Sequence, residues 1–377
     1  MKDYISGIIS ILASFQLLFV SVFLIAHKKG NRTNNRLLGL VFLLFSLSLG
    51  DFALRISGIE FRHQPIHLID DGFFFLYGPL LYFYVRRVVY IDLRWRVKDL
   101  LHLIPYMIYC IYLVYALVVL DQKEQQELTQ KIVTASLPAW IYLVGISIYI
   151  YIFAYLWLAY RTVNTYRSII KNRFSSLEKI NLNWLRFIIH SFAAITIIAM
   201  IHNVIPVLGN IFFRYSTLIF LLIFTFFFIN RVLVKALNQP EIFAGIELQE
   251  AREKYTGSHL KADETEQYYT QLLSILEEEK LYLNPDLTLQ ILAEHLNISS
   301  KVISQVINQR SGKNFFDFIN SYRCEEAKNL MMTSDPKVTI LEILYQAGFN
   351  SKSSFNKEFK KLNGNTPSEY RKMVSKP

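Results

Sequence analysis

The stretch LTLQILAEHLNISSKVISQVI, residues 287–307, decides how the last third of this chain folds. Leu289, Leu292, Ala293 and Leu296 recur at three- and four-residue spacing, which lines one side of a short helix. Asn297 then stops it, because Asn tolerates the left-handed conformation that ends helices. Ser299 is placed to cap the next helix, its hydroxyl accepting from the first free backbone N–H groups. That second helix turns Ile303, Val306 and Ile307 inward and Lys301, Ser304, Gln305 and Asn308 outward. A short helix, a tight turn and a polar-faced helix make a helix-turn-helix.

Working outward, the same layout recurs about 50 residues later, at the spacing of a tandem unit. Ile340, Ile343, Leu344 and Ala347 form one helix, Gly348, Phe349 and Asn350 the turn, and Ser351 the cap of a helix with Phe355 and Phe359 inward. Its outer face carries Lys352, Ser353, Asn356, Lys357 and Lys360. Helical periodicity over 314–332 predicts a long rod between the two copies. Two readers on one rod suit two successive major grooves of a duplex. Upstream, residues 267–279 read as an amphipathic helix, followed by a turn at Asn284, Pro285 and Asp286.

These residues resemble the DNA-binding domain of the AraC family of bacterial transcription regulators. The resemblance runs from about Gln267 to Lys372 and is carried by LAEHLNISS from Leu292, GKNFFDFIN from Gly312, AGFNSKSSF from Ala347 and GNTPSEYR from Gly364. It implies two helix-turn-helix units, sequence-specific binding to double-stranded promoter DNA, activation of transcription and RNA polymerase as a partner. By position, the resemblance makes Lys301, Ser304, Gln305, Lys352, Ser353, Asn356 and Lys357 the DNA-binding residues, and Lys313, Lys360 and Arg371 the phosphate contacts. The chemistry agrees, since Lys donates to guanine while Gln and Asn pair with adenine edges. Two positions depart from the family pattern: Leu344 stands where Ala is usual, and Val302 where a polar residue is common.

The remaining two thirds is a different material. Of 377 residues 53% are hydrophobic and only 19% charged, too apolar for a soluble chain of this size. Apolar stretches near 4–26, 37–56, 68–90, 100–120, 138–160, 184–207 and 211–234 each approach the ~20 residues that cross a bilayer. The net charge of +10 lies mostly here, with 23 Lys and Arg against 11 Asp and Glu in residues 1–235. Residues 266–377 carry 14 against 13, so this is not a polybasic nucleic-acid tail. Basic residues alternate by loop: Lys28, Lys29, Arg32 and Arg36; then Arg86, Arg87, Arg94, Arg96 and Lys98; then Arg161, Arg167, Lys171, Arg173, Lys179 and Arg186. Positive loops stay in the cytoplasm. The first helix has no small-residue cleavage site and is read as retained. The expected topology is a multi-pass protein of the bacterial cytoplasmic membrane, N-terminus outside and C-terminal domain in the cytoplasm.

Ionisable residues inside spans are costly and therefore candidate functional positions. Asp51, Arg55, Asp70, Asp71, His202, Asn203 and Arg214 fall at one outward depth, which suits a cavity for a small polar signal; an interhelical packing network is the alternative. His63 and His67 stand four apart, but with no third ligand nearby they are read as loop residues and no metal site is assigned. A Gly78–Pro79 pair predicts a kink in the third span. The tyrosines, Tyr149 and Tyr155 among them, are read as packing and interface anchors. Two cysteines, Cys110 and Cys324, make no disulfide framework.

The expected fold class is all-α: a seven-helix transmembrane sensor domain at 1–235, a cytoplasmic linker at 236–266 and an AraC-type domain at 267–377. The function that follows is a membrane-anchored, sequence-specific transcription regulator, working without a cofactor, in contact with the bilayer and able to pair as a homodimer. The alternative is a seven-helix receptor or transporter using its last domain to dock a protein. No span supplies a convincing catalytic set, and the chain is not read as an enzyme.

Overall fold

The computed structural model describes residues 2–27, 32–56, 66–90, 96–119, 121, 123–124, 139–177, 182–204, 211–238, 262–335 and 337–374. The described residues are helical apart from one isolated antiparallel bridge, Phe174 to Thr288. They divide into two compact units, the first made of Met1–Val163 and Asn183–Gln249, the second of Asn164–Leu182 and Glu250–Pro377.

The first unit contains α1 (Lys2–Ala26), α2 (Arg32–Ile56), α3 (Ile66–Asp71), α4 (Phe74–Val89), α5 (Ile104–Val114), α6 (Ala139–Lys171), α7 (Asn183–Val204) and α8 (Ile211–Asn238). The last turns of α6 belong to the second unit. Small residues let α1 and α2 approach closely, as they do where helices have little water to drive them together. Ser14 Oγ donates to the Ser46 carbonyl at 2.8 Å and Ser46 Oγ returns the bond to the Ser14 carbonyl at 2.7 Å. One turn away Ser21 Oγ donates to the Gly39 carbonyl at 2.7 Å, and a Cβ on Gly39 would stand 2.7 Å from the Ile25 side chain.

Among the described residues six helical stretches are long and apolar enough to cross a membrane: Ser6–Ala26, Arg32–Leu54, Val97–Val119, Leu143–Lys171, Asn183–Asn203 and Ser216–Val234. Their outer faces are apolar, with Phe15 67%, Ile111 72%, Val118 76% and Phe227 68% exposed. The expected third span, 68–90, is not one helix. It turns at Gly72 and Phe73, between α3 and the 16-residue α4, where Phe73 N donates to the Asp70 carbonyl at 2.9 Å and Phe75 N to the Gly72 carbonyl at 3.1 Å; a Cβ on Gly72 would come within 2.7 Å of the Tyr109 ring. The kink expected at Gly78–Pro79 is absent as an interruption, and α4 runs through it. Gly78 instead admits Tyr155, whose Cβ would be 3.0 Å from any side chain placed there. The fourth span carries a 3-10 turn (Val97–Leu103) before α5 and a π-helical turn (Tyr115–Val119) after it.

In the second unit α9 (Ala262–Glu278) starts before the expected 267, and α10 (Leu289–Leu296), α11 (Ser300–Ser311), α12 (Phe315–Thr333), α13 (Ile340–Gln346), α14 (Lys352–Asn363) and α15 (Pro367–Val374) follow. Two cores form side by side. One gathers Leu272, Leu276, Leu292, Ile303, Ile307 and Phe318; the other gathers Cys324, Ala327, Ile343, Leu344, Phe355 and Phe359. The rod α12 contributes to both, its first half to one and its second half to the other. Leu344, the departure from the family pattern, is fully buried in the second core, where its extra volume is used as packing. Most of the expected linker, 239–261, lies outside the described residues.

Candidate nucleic-acid interface and signal cavity

Each reading helix is set by its caps. In the first unit Thr288 accepts from Ile291 N at 3.2 Å to start α10, and Asn297 ends it in the left-handed conformation, φ 51°. Ser299 then accepts from Val302 N at 3.3 Å to start α11. In the second, Thr339 and Glu342 exchange hydrogen bonds across the first turn of α13, Thr339 N donating at 2.6 Å and Glu342 N at 3.1 Å. Bonding to the Thr339 backbone and hydroxyl holds the Glu342 carboxyl below its ordinary range. Gly348, φ 85°, makes the turn and Ser351 accepts from Ser354 N at 3.2 Å to start α14. Gly348 is also a close approach, since a Cβ on it would stand 2.6 Å from the Tyr282 carbonyl oxygen.

Lys352, Ser353 and Lys357 are exposed along α14 and Asn356 is half-exposed beside them, one polar strip on the side away from Phe355 and Phe359. On α11, Lys301 and Gln305 are half-exposed. Ser304 corrects the sequence reading: it is 3% exposed and faces the domain interior. Helix α11 packs against α9, α10 and α12 at once, so its buried stripe is wider than a one-sided helix pattern suggests. Ser304 therefore reads no base from this position. Lys360 is exposed and Lys313 half-exposed, while the Arg371 guanidinium donates to the Val338 carbonyl and is engaged inside the domain. For Lys360, Lys360→Ala is expected to weaken all duplexes alike and to reduce the salt dependence of binding by about one counterion; titrations across salt concentrations check this.

The rod holds a residue that sequence reasoning passed over. Arg323 is 1% exposed, the largest fully buried side chain among the described residues, and its guanidinium lies over the Phe349 ring at 5.9 Å. All five of its N–H groups are used. Nε donates to the Tyr282 carbonyl at 2.7 Å, one terminal nitrogen to the Ser175 carbonyl at 3.0 Å and the Asn320 side chain at 3.3 Å, the other to Ser175 Oγ at 3.0 Å and the Asn284 carbonyl at 2.7 Å. Helical periodicity put Arg323 on a rod, but nothing in its spacing distinguished a hub from a solvated face.

Asp317, also on the rod, accepts from Lys361 at 2.8 Å and lies 3.9 Å from Lys171. Burial alone would raise its carboxyl, but the Lys361 bond, the Lys171 charge and the Asn314 amide outweigh it and hold the carboxyl below its ordinary 3.8. The same bond raises Lys361. A depressed carboxylate stabilises the fold above its unfolded value and ceases to as pH falls through the folded value. This cluster is thus expected to stay intact at neutral pH and to give way only in acid, below 3.8; NMR titration of the Asp317 carboxyl checks it.

In the first unit a cavity of about 510 Å³ is lined by Asp70, Asp71, His202 and Asn203, four of the seven expected signal-site residues. Asp51 is half-buried on α2 outside this lining, and the Arg55 and Arg214 side chains lie outside the described residues. Ser48, Tyr77 and Tyr149 join the lining, with Ser48 Oγ 2.8 Å from Tyr77 OH and the Asn203 amide donating to Tyr149 OH at 2.5 Å. The sequence reading makes Tyr149 a packing or interface residue, and the structure places it in the cavity wall. Phe45, Phe52, Phe74 and Phe192 make the rest of the wall largely apolar. His63 lies outside the described residues, as does the His67 side chain.

Residues 292–373 match the family described as a helix-turn-helix domain. An uncharacterized HTH-type transcriptional regulator of Staphylococcus aureus is 35% identical over 92 residues, 24% of this chain and 12% of that protein. The uncharacterized HTH-type transcriptional regulator YtdP of Bacillus subtilis is 29% identical over 86 residues, 23% of this chain and 11% of that one. The C-terminal domain of the two-component response regulator yesN from Fusobacterium nucleatum, a solved structure, is 32% identical, covering 28% of this chain and 98% of that one with a TM-score of 0.25. The chain thus spans about one eighth of the length of the curated relatives it matches. These matches lie in the last domain, which is a helix-turn-helix domain.

Proposed function

We propose, from the premise of an AraC-like DNA-binding domain at the C-terminus, that this chain regulates transcription while anchored in a membrane. The observation that carries the reading is the pairing of two capped helix-turn-helix units on one rod with an N-terminal unit whose helices are apolar on their outer faces. The 19 residues of α12 span about 28 Å, close to the ~34 Å between successive major grooves on one face of a duplex. Base edges are read by Lys301 and Gln305 in one groove and by Lys352, Ser353, Asn356 and Lys357 in the next. Lys313 and Lys360 hold phosphates.

The bilayer is the apolar surroundings that α1, α2, α5, α6, α7 and α8 require, and α3 with α4 completes a seventh crossing as a broken helix. The broken crossing costs little where its freed backbone groups face protein rather than lipid. Residues 172–177, in the basic connection assigned to the cytoplasm, belong to the same compact unit as the DNA-binding helices. That shared unit supports placing both on one side of the membrane. The 510 Å³ cavity is the sensing site, an apolar chamber with a carboxylate pair and an imidazole at one end, suited to a small molecule with a polar head. RNA polymerase contact, activation and pairing into a homodimer follow from the family reading.

The test is selection of binding sites from random duplex DNA by the full chain in nanodiscs. A bipartite motif with halves about one helical turn apart, bound more weakly as salt rises, is the expected result. No enrichment from well-folded protein would sink the reading and favour a protein-docking role. Asp71→Ala with His202→Ala is expected to abolish the response of a reporter to outside conditions while membrane insertion and DNA binding in vitro persist; an unchanged response removes the cavity from the mechanism.

A further inference from the structure

The turn after α6 is seated in the DNA-binding domain. Leu289 N, a backbone donor at the start of α10 with no partner inside its own helix, donates to the Arg173 carbonyl at 2.8 Å. Ser175 N donates to the Leu287 carbonyl at 3.2 Å, so the segment and residues 287–289 form a short antiparallel bridge. Ser175 is 1% exposed, and its hydroxyl donates to the same Leu287 carbonyl at 2.6 Å. On the rod, Asn320 and Arg323 donate to the Ser175 carbonyl at 3.3 and 3.0 Å, and Arg323 reaches Ser175 Oγ as well. Across the second unit the Asn350 amide, one residue before the cap of α14, donates to Ser176 Oγ at 2.7 Å.

One short segment therefore touches the first helix-turn-helix, the rod and the second helix-turn-helix. Two of the five N–H groups of the buried guanidinium end on Ser175. A buried charge left with unmade bonds is costly, so the segment completes the socket rather than resting on it. Helix α6 runs unbroken from Ala139 to Lys171, and Lys171 is already tied to Asp317 on the rod.

We propose that residues 171–176 are a clasp that fixes the two reading helices relative to one another and makes their placement depend on helix α6. Rotation or axial movement of α6 withdraws Ser175 from Arg323 and frees the second reader from the first. The effect on DNA affinity rests on the DNA-reading assignment above; the effect on reader geometry does not.

The experiment uses the full chain in nanodiscs, with spin labels at Gln309→Cys on α11 and Leu362→Cys on α14. Cys110→Ser removes one native thiol, and Cys324 stays unlabelled because burial pushes it up to about 12. The parent is expected to give one narrow distance distribution, and Ser175→Val to broaden it at least twofold with helical content unchanged. Asn350→Ala trims a single amide, leaves the Arg323 socket intact, and is expected to broaden the distribution less. Identical distributions in parent and both variants would overturn the clasp. In the same nanodiscs Ser175→Val is expected to weaken binding to a bipartite duplex about tenfold, through lost preorganisation, and to leave a half-site duplex unaffected. Equal losses on both duplexes also overturn the clasp. A parent that shows the narrow distribution but selects no DNA overturns the DNA reading and leaves the clasp standing.

Discussion

Arg323→Met is expected to destabilise the C-terminal unit by about 1–3 kcal/mol, the cost of leaving a buried hydrogen-bonding group unmet. Methionine fills much of the volume but donates nothing. The Tyr282 carbonyl then loses its donor inside the domain, while the Ser175 and Asn284 carbonyls keep only the bonds from the Asn320 amide and from Leu287 N; a buried acceptor left unmet costs about 1–3 kcal/mol. Urea unfolding of the full chain in detergent, followed by circular dichroism, separates the C-terminal unit from apolar helices that persist. A midpoint within experimental error of the parent would mean that the guanidinium is dispensable.

The second large effect belongs to the second reading helix. Asn356→Ala with Lys357→Ala removes two of the proposed base readers, and a good bidentate base contact is worth about 1–3 kcal/mol of discrimination, so selectivity is expected to fall roughly 100-fold. Both side chains lie on the solvent side of α14, opposite the fully buried Phe355 and Phe359, so the helix itself should survive the change. Competition between the selected duplex and a scrambled one gives the ratio directly. Retained selectivity would place the reading elsewhere. Loss of binding to every duplex equally would make these residues phosphate contacts, which position without specifying.

Local signals were legible and long-range ones were not. Asn297, Ser299, Gly348 and Ser351 announce the turns and caps of both units because capping is chemistry between neighbours in sequence. The helices of the two helix-turn-helix units and the rod between them accordingly fall where the sequence placed them. Ser304 was misjudged because a helix gripped from three sides buries more of its circumference than its pattern of apolar residues suggests. The close fit of Gly72 against the Tyr109 ring joins two helices, and the spacing within 68–90 does not carry it. For the cavity, matching depth in separate spans located Asp70, Asp71, His202 and Asn203, whereas Tyr149 was hidden among many tyrosines that only pack. The contact between Ser175 and Arg323 joins residues 148 apart, and no periodicity carries that information.

Proteolysis reads the clasp differently from a ligand. Membrane-held regulators are freed in principle by a single cut between anchor and reader, and residues 239–261 are where such a cut would fall in this chain. Here the severed C-terminal piece would still hold the turn after α6 through the Arg323 socket and the Leu287 to Leu289 bridge. If the first unit is membrane-anchored as proposed, one cut leaves a nicked two-piece protein, and departure requires the noncovalent bond at Ser175 to open as well.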